Sequence, residues 1–409
     1  MPKQAPVALH SFNLSTQHID TSGPGTILAD FQTLLDFVAA GVRSTGQYHL
    51  LPMDRLRELD EQMTHPLRPN LERPQQKSFP HLNGLYLLLR ATRMGVSVGQ
   101  GKTSGRLLID PLMLAQWRGL NPTEQYFNLL EAWMSHATWA IVGLRTSGWG
   151  SDVAMNARDV RAAIPPDGRK FEELKQRRGD FLFSMERACS LALLELFGLM
   201  TVERGEPLEG EGWCVTRVLH TPFGDELLDL IFQQIQLGIL TRNTQKADFG
   251  GWQRFLQPSF PNWKNNLKFI EPEFRDGIYY FKVSLGRPWR RIAITGQSNL
   301  ADLANCIIQA YDFDGDHLYA FDLVGRDGQK LLIDSPDGHR GESFADETEV
   351  GSLPLDAKQS MLFRYDFGAS WQFKVVLEKI VPADTERAVP EIVESKGEAP
   401  PEYGSDDEW

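Results

Sequence analysis

Apolar residues recur at helical spacing over most of the first two thirds of this chain, and alternate with polar ones through much of the last third. Between Thr26 and Val42, the residues Ile27, Leu28, Phe31, Leu34, Leu35, Phe37 and Val38 share one helical face. A second helix is predicted over 53–63, and four prolines make 65–80 a connector. A pattern of helix, glycine, strand, polar turn, strand and helix then occurs twice. The first copy is a helix over 82–94, Gly95, a strand 96–98, a glycine-rich turn 99–105, a strand 106–109 and a helix 111–117. The second is a helix over 181–196, Gly198, a strand to Val202, a turn 203–212 and a strand 213–219. It closes with Thr221-Pro222-Phe223-Gly224, which opens a helix over 225–236.

Between the copies, Asn121-Pro122-Thr123-Glu124 is an N-cap with proline at the first helical position and an acidic first turn. It predicts a helix running to about Gly143. The stretch 250–274 mixes three prolines with Trp252, Phe255, Phe260, Trp263 and Phe269. A free linker would be polar, so these aromatics predict a docked segment. In the last third, Tyr279, Phe281, Val283 and Leu285 alternate on one strand, and Trp289, Ile292 and Ile294 lie on its partner. Leu300, Leu303, Ala304, Ile307, Ile308 and Tyr311 then follow a 3.6-residue period. Further strands are predicted over 318–324, 330–333, 361–365 and 371–377. That order predicts a β-grasp-like sheet with one helix on one face, and Trp289 and Trp371 inside it. The tail beyond Pro382, rich in Glu, Pro and Gly, is expected to be disordered.

Both copies of the repeated pattern resemble the winged-helix superfamily, the second more closely through its Thr-Pro-x-Gly ending. The last third resembles the plasmid pRiA4b ORF-3-like family, also labelled an insertion-element passenger or "TnpR" family. Four words carry that likeness: Pro288-Trp289-Arg290-Arg291, the helix Leu300-Ala301-Asp302-Leu303, Asp314-Gly315-Asp316-His317-Leu318-Tyr319-Ala320-Phe321, and Tyr365-Asp366-Phe367-Gly368-Ala369-Ser370-Trp371. Relatives end in a Cys-Pro-Pro-Glu-Asp-like word, where this chain has Ala399-Pro400-Pro401-Glu402-Tyr403 without the cysteine. The resemblance implies a mobile-element background and supplies no activity. No serine-recombinase pattern accompanies the label.

The expected class is therefore α+β: a mainly helical N-terminal region with two winged-helix-like units, then the β-grasp-like sheet. The expected divisions are a loose arm 1–24, units 25–150 and 151–250, a linker 251–276, the C-terminal domain 277–382 and an acidic tail 383–409. The net charge of −12 is uneven, because nine acidic residues stand against two basic ones from Asp384 onward. The remainder is close enough to neutral to accommodate a nucleic-acid surface. No apolar run approaches the ~20 residues of a membrane span. The start, Met1-Pro2-Lys3-Gln4, lacks the build of a signal peptide, and Cys189, Cys214 and Cys306 stand far apart. A cytoplasmic setting with no membrane association is expected.

Motifs with chemical potential are incomplete. Gly99-Gln100-Gly101-Lys102-Thr103 lacks the leading glycine of a phosphate-binding loop and precedes a strand, which favours a hairpin turn. Asp312-Phe313-Asp314-Gly315-Asp316 spaces carboxylates like a calcium loop but has His317 and Leu323 where that loop needs glycine and glutamate. Asp334-Ser335-Pro336-Asp337-Gly338-His339 gathers triad residue types without the strand–elbow–helix context. Cys214 and His220 share a strand face with no third donor, which favours packing over a metal.

No catalytic residue, metal ligand or cofactor is expected. The leading expectation is a non-enzymatic adaptor or regulator with a protein partner, DNA-associated through its winged units. Lys102, Arg106 and Arg217, with Arg287, Arg290 and Arg291 in the last third, are the candidate contacts to phosphate or partner. The family-motif residues Pro288, Trp289, Asp316, His317, Leu318, Phe321, Tyr365, Phe367, Gly368 and Trp371 are expected to be structural. Two alternatives stand beside this: a protein-only scaffold with its recognition faces buried, and a carboxylate- or metal-dependent hydrolase using 312–316 or 334–339.

Overall fold

Two bodies of different architecture make up this chain, residues 1–97 with 101–269 and residues 270–409, with 98–100 grouping with the second. The computed structural model describes residues 13–46, 48–98, 105–144, 153–171, 180–237, 248–270, 273–325, 328, 330–338, 343–383 and 389–403. The glycine-rich turn 99–104 with Lys102, and His339, lie outside that set. The class is α+β, helical in the first body and dominated by one large sheet in the second. Among the described residues, no helix is long and apolar enough to cross a membrane.

The helices and strands of the repeated pattern are present in the first body, preceded by two helices and a strand in the first copy and by a helix and a strand in the second. The first copy runs α1 (Ile27–Ala39), β1 (Val42–Arg43), α2 (Met53–Glu61), α3 (Pro80–Ala91), β2 (Gly95–Val98) and β3 (Arg106–Ile109), then α4 (Pro111–Gly119). Its sheet has the order β1-β3-β2, with Val42 opposite Leu107. After α5 (Pro122–Glu131), the second copy runs α6 (Val153–Ala162), β4 (Arg169–Lys170), α7 (Met185–Leu196), β5 (Met200–Arg204), β6 (Val215–His220) and α8 (Pro222–Gln236). Its sheet repeats the same order, β4-β6-β5. Strands of two residues carry no readable alternation, so β1 and β4 leave no mark in the sequence.

Local chemistry sets several boundaries. Asn121 accepts from the Glu124 amide while Glu124 returns to the Asn121 amide, closing a capping box over Pro122. The helix does not continue to Gly143. It widens at Ala132–His136 into a π-turn, and Ala137 is extended. On α5, Glu124, Asn128 and Glu131 lie three and four residues apart and so line one side. Glu124 accepts the amides of Lys264 and Asn265 at 3.0 and 2.7 Å, Asn128 that of Leu267 at 2.8 Å, and Glu131 those of Gly250 and Gly251 at 2.9 and 2.8 Å. Phe127 stacks on Trp263, centroids 4.5 Å apart, beside Phe260. The aromatic and proline-rich segment, which includes the short helix α9 (Gln253–Leu256), is thus bound to α5 by polar and aromatic contacts together.

The second body carries strands β7 (Ile278–Ser284), β8 (Trp289–Thr295), β9 (Tyr319–Val324), β10 (Lys330–Asp334), β11 (Ser343–Phe344), β12 (Ser360–Tyr365), β13 (Trp371–Val381) and β14 (Glu391–Lys396). The sheet order is β11-β10-β9-β12-β13-β7-β8-β14. Helix α10 (Leu300–Ala310), started by an Asn299/Asp302 capping box, packs Leu303, Ile307 and Ile308 on one face.

Two expectations change here. Residues 391–396 of the tail are ordered, because β14 pairs antiparallel with β8, Ile392 opposite Ile292 and Lys396 opposite Trp289. An isolated six-residue acidic strand has too little apolar content to hold itself, and the open hydrogen-bonding edge of β8 holds it instead. Nor is Trp289 in the core. Side chains alternate along β8, so Ile292 and Ile294 share the helix-covered face with Arg290, while Trp289 stands half-buried on the other. Its ring has Lys282 Nζ at 4.6 Å and Arg291 at 5.3 Å. Trp371 packs half-buried against the core, beside Phe313.

Candidate functional site

In the first body the helices that precede the two hairpins face inward. All twelve residues of α3 are buried, as are eight of twelve in α7. The two helices pack on each other, and Gly84 sets their approach: a Cβ there would lie 2.7 Å from Leu193 Cγ. Several polar side chains in and beside this contact are paired internally. The Leu51 amide donates to Gln76, Gln76 donates to Asn83 at 3.0 Å, and Asn83 bonds Cys189, whose thiol burial pushes up to about 12. His81 meets Asp60 at 2.9 Å, and burial holds the imidazole below its ordinary value against the pull of that carboxylate. Asp60 also accepts the amides of Leu67 and Arg68.

The turn of the second hairpin is also engaged. Asn70 and Glu211 form a bridge, the Gly210 amide donates to the Asn70 carbonyl at 2.8 Å, and Arg204 joins Glu195 at 2.6 Å and the His65 carbonyl. This turn therefore lies on the 65–71 segment of the first copy.

The cations singled out from the sequence are dispersed. Arg106 is exposed and reaches the carbonyls at the end of α1, Ala40 at 3.4 Å and Gly41 at 3.5 Å. Arg217 donates to the Asp167 carbonyl at 3.1 Å and stands 3.6 Å from Glu203. Cys214 is buried and in no disulfide, while His220 is held by Asp225 at 2.6 Å and the Ile164 carbonyl at 2.9 Å. Among the described residues no group of three His, Cys, Asp or Glu side chains could hold a metal.

In the second body, strand alternation separates three arginines that the sequence places together. Arg287 is exposed at the β7–β8 turn. Arg290 is only 7% exposed, lies over the Tyr311 ring, and donates to the carbonyls of Ala310 (2.8 Å), Lys396 (3.3 Å) and Gly397 (3.0 Å). Arg291 crosses the opposite face to Glu378 at 2.6 Å and also pairs with Glu394.

The family words converge at one end of this sheet. Tyr365 is buried, and its hydroxyl accepts the Gly315 amide at 2.9 Å. Burial, followed by the nearby Glu402 carboxylate, pushes that phenol up to about 12. Asp366, at φ 48°, accepts the amides of Gly368 and Ala369, and its own amide donates to the Leu318 carbonyl. Phe321 is buried against Phe363, and Phe367 lies under Arg364. Onto this end folds the tail: Glu402 accepts the Asp314 amide at 2.6 Å, and Tyr403 meets His317 at 2.7 Å. Asp316 stands 3.4 Å from His317, and Pro288 supports Gly397. Asp334 is buried at the end of β10 and the Ser335 amide donates to Tyr319, so that loop turns its acid and hydroxyl inward.

Sequence reasoning missed Glu402 and Tyr403 as working residues. The signal available was the pair Ile392-Val393 framed by charges, a short edge-strand composition.

A family model described as "Plasmid pRiA4b ORF-3-like protein" matches residues 278–404, the last third of the chain. The chain is also similar to the crystal structure of a protein of unknown function from Methanosarcina mazei Go1. That likeness is at 28% identity over 31% of this chain and 73% of the other, with a TM-score of 0.28. No curated protein matches.

Proposed function

We propose, from a C-terminal third that matches the plasmid pRiA4b ORF-3-like family, that this chain is a non-enzymatic adaptor of mobile-element background that recognises protein rather than reading DNA. Each copy in the first body has the order of a winged helix, and the helix before the hairpin is the one that such a module lays in the major groove. The observation that carries the proposal is the burial of both such helices against each other, with Gly84 on Leu193. Fully buried α3 has no polar side chain to offer base edges, and on α7 the half-buried Arg187 and Glu195 are already paired with Asp159 and Arg204. The second hairpin turn, already bonded to Asn70, supports the same reading.

The hydrolase alternative has weaker support, since Asp334 faces inward and His317 serves the tail.

Titration of the full chain with duplex DNA tests the proposal. At 50 mM and at 200 mM salt the expected result is no complex at micromolar protein. A DNA reader contacting six or more phosphates would bind at low salt and lose roughly 10³-fold or more over that range. Such a salt slope, reduced in Arg106→Glu or Arg217→Glu, would overturn the proposal.

A further inference from the structure

We infer that the edge of β8, together with the Asp-rich turn at 312–317, is a docking track for an extended acidic peptide of a partner protein, which residues 391–403 of the chain itself fill as a displaceable stand-in. The inference rests on the adaptor reading and names its class of partner.

The manner in which the tail is held comes first. Five of the six residues of β14 are exposed, and a bulge between Ile392 and Glu394 interrupts the pairing with β8. Beyond β14, Ala399 is the tail residue packed against the core of the sheet. Directional polar bonds at the surface, with little buried apolar area, mark a segment that opens locally well before the body around it unfolds.

The receiving groups, in contrast, are anchored without the tail. Arg290 is fixed by the Ala310 and Trp289 carbonyls and the Tyr311 ring, and its Nη1 also donates to the carbonyls of Lys396 and Gly397. An extended backbone laid on β8 supplies the carbonyl at the Lys396 position whatever its side chains, as in strand addition to a sheet edge, while the next carbonyl calls for a glycine like Gly397, at φ +80° beside Pro288. Arg291 is anchored by Glu378, so its charge stays on the track when Glu394 departs. Tyr365 holds the Gly315 amide, which keeps the neighbouring Asp314 amide in place for a carboxylate.

Selectivity follows from these contacts. The track pairs Arg291 with one acid, the Asp314 amide with a second, and His317 with a phenol. The matching ligand is a strand bearing a glutamate, followed eight residues later by a second glutamate and then a tyrosine, as at Glu394, Glu402 and Tyr403.

The test uses the full chain and a full-chain variant, Glu402→Ala with Tyr403→Ala, whose changes fall outside the sheet core. The probe is a fluorescent synthetic peptide of residues 390–403, followed by anisotropy, with hydrogen exchange measured in parallel. Exchange of the 391–396 amides is expected to quicken at least tenfold in the variant, with β7 unchanged. The variant should then bind the peptide at least tenfold more tightly than the native chain. A peptide carrying Glu394→Lys and Glu402→Ala should lose at least tenfold of that affinity. A released tail without peptide binding would overturn the inference, as would 391–396 amides that exchange as slowly as β7 in both chains. Neither outcome depends on duplex DNA, so failure here and failure of the adaptor reading are separable.

Discussion

Gly198→Ala is expected to lower the melting temperature of the chain by roughly 10 °C, a cost of about 4 kcal/mol in a body of this size. Two causes add. Gly198 follows α7 at φ +70°, a left-handed conformation that costs an L-residue about 1–2 kcal/mol. A Cβ there would also stand 2.5 Å from the Gly25 nitrogen and 2.8 Å from the Pro24 carbonyl carbon, both backbone atoms that cannot swing aside. Gly25 is the reciprocal half of this contact, since its own Cβ would lie 2.0 Å from the Leu196 oxygen, which already accepts the Thr26 amide. The start of α1 and the end of α7 are joined there backbone to backbone, so the substitution separates the two copies of the repeat. Gly119→Ala is the control. It sits at the end of α4 with nothing within 4 Å of a new Cβ, and is expected to be neutral or to stabilise by about 0.5–1 kcal/mol. Equal melting of Gly198→Ala and the native chain, followed by calorimetry, would refute the close approach.

The second large effect is a pH dependence at Glu131. Burial pushes its carboxyl from 4.5 up to about 7, against the pull of the Gly250, Gly251 and Trp252 amides. The folded chain therefore holds this proton more tightly than the unfolded chain does. The associated stability is fully present below about pH 4.5 and is lost as pH rises through about 7. A shift of that size corresponds to about 3 kcal/mol. Melting of the native chain should fall between pH 5 and pH 8. In Glu131→Gln that slope should flatten, with a lower melting point at pH 5, because a glutamine has one acceptor oxygen for the two glycine amides. Exchange at 249–252 reports the same event locally. Parallel slopes in the two proteins would show that Glu131 is not the group responsible.

Features encoded within a few residues were legible before any coordinates. The Asn121 cap with Glu124 in its first turn, the proline at the start of α5 and the apolar face of α10 are each complete in their own segment. The doubled helix–strand–turn–strand order was legible for the same reason. Trp289 shows how a local rule can be applied to the wrong residue. Parity with Ile292 and Ile294 excludes it from their face, and hydrophobicity alone suggested otherwise. The fate of α3 was half-written, because Leu85, Leu87, Leu88 and Leu89 surround that helix with apolar side chains, the mark of an element buried on every side.

By itself, then, the sequence determined the α+β class, the repeated unit, the caps and the family words of the last third. These depend on backbone propensity and periodicity among neighbours, which act over ten residues or fewer. Tertiary structure alone decided what the two hairpin helices face, where Arg290 and Arg291 point their charge, and that the acidic tail returns to β8. Each of those depends on a contact between segments remote in sequence, Gly84 with Leu193, Arg290 with Lys396, Asp314 with Glu402. Such contacts form only when loop closure is repaid by burial and paired polar groups across the whole body, and no local pattern records that balance.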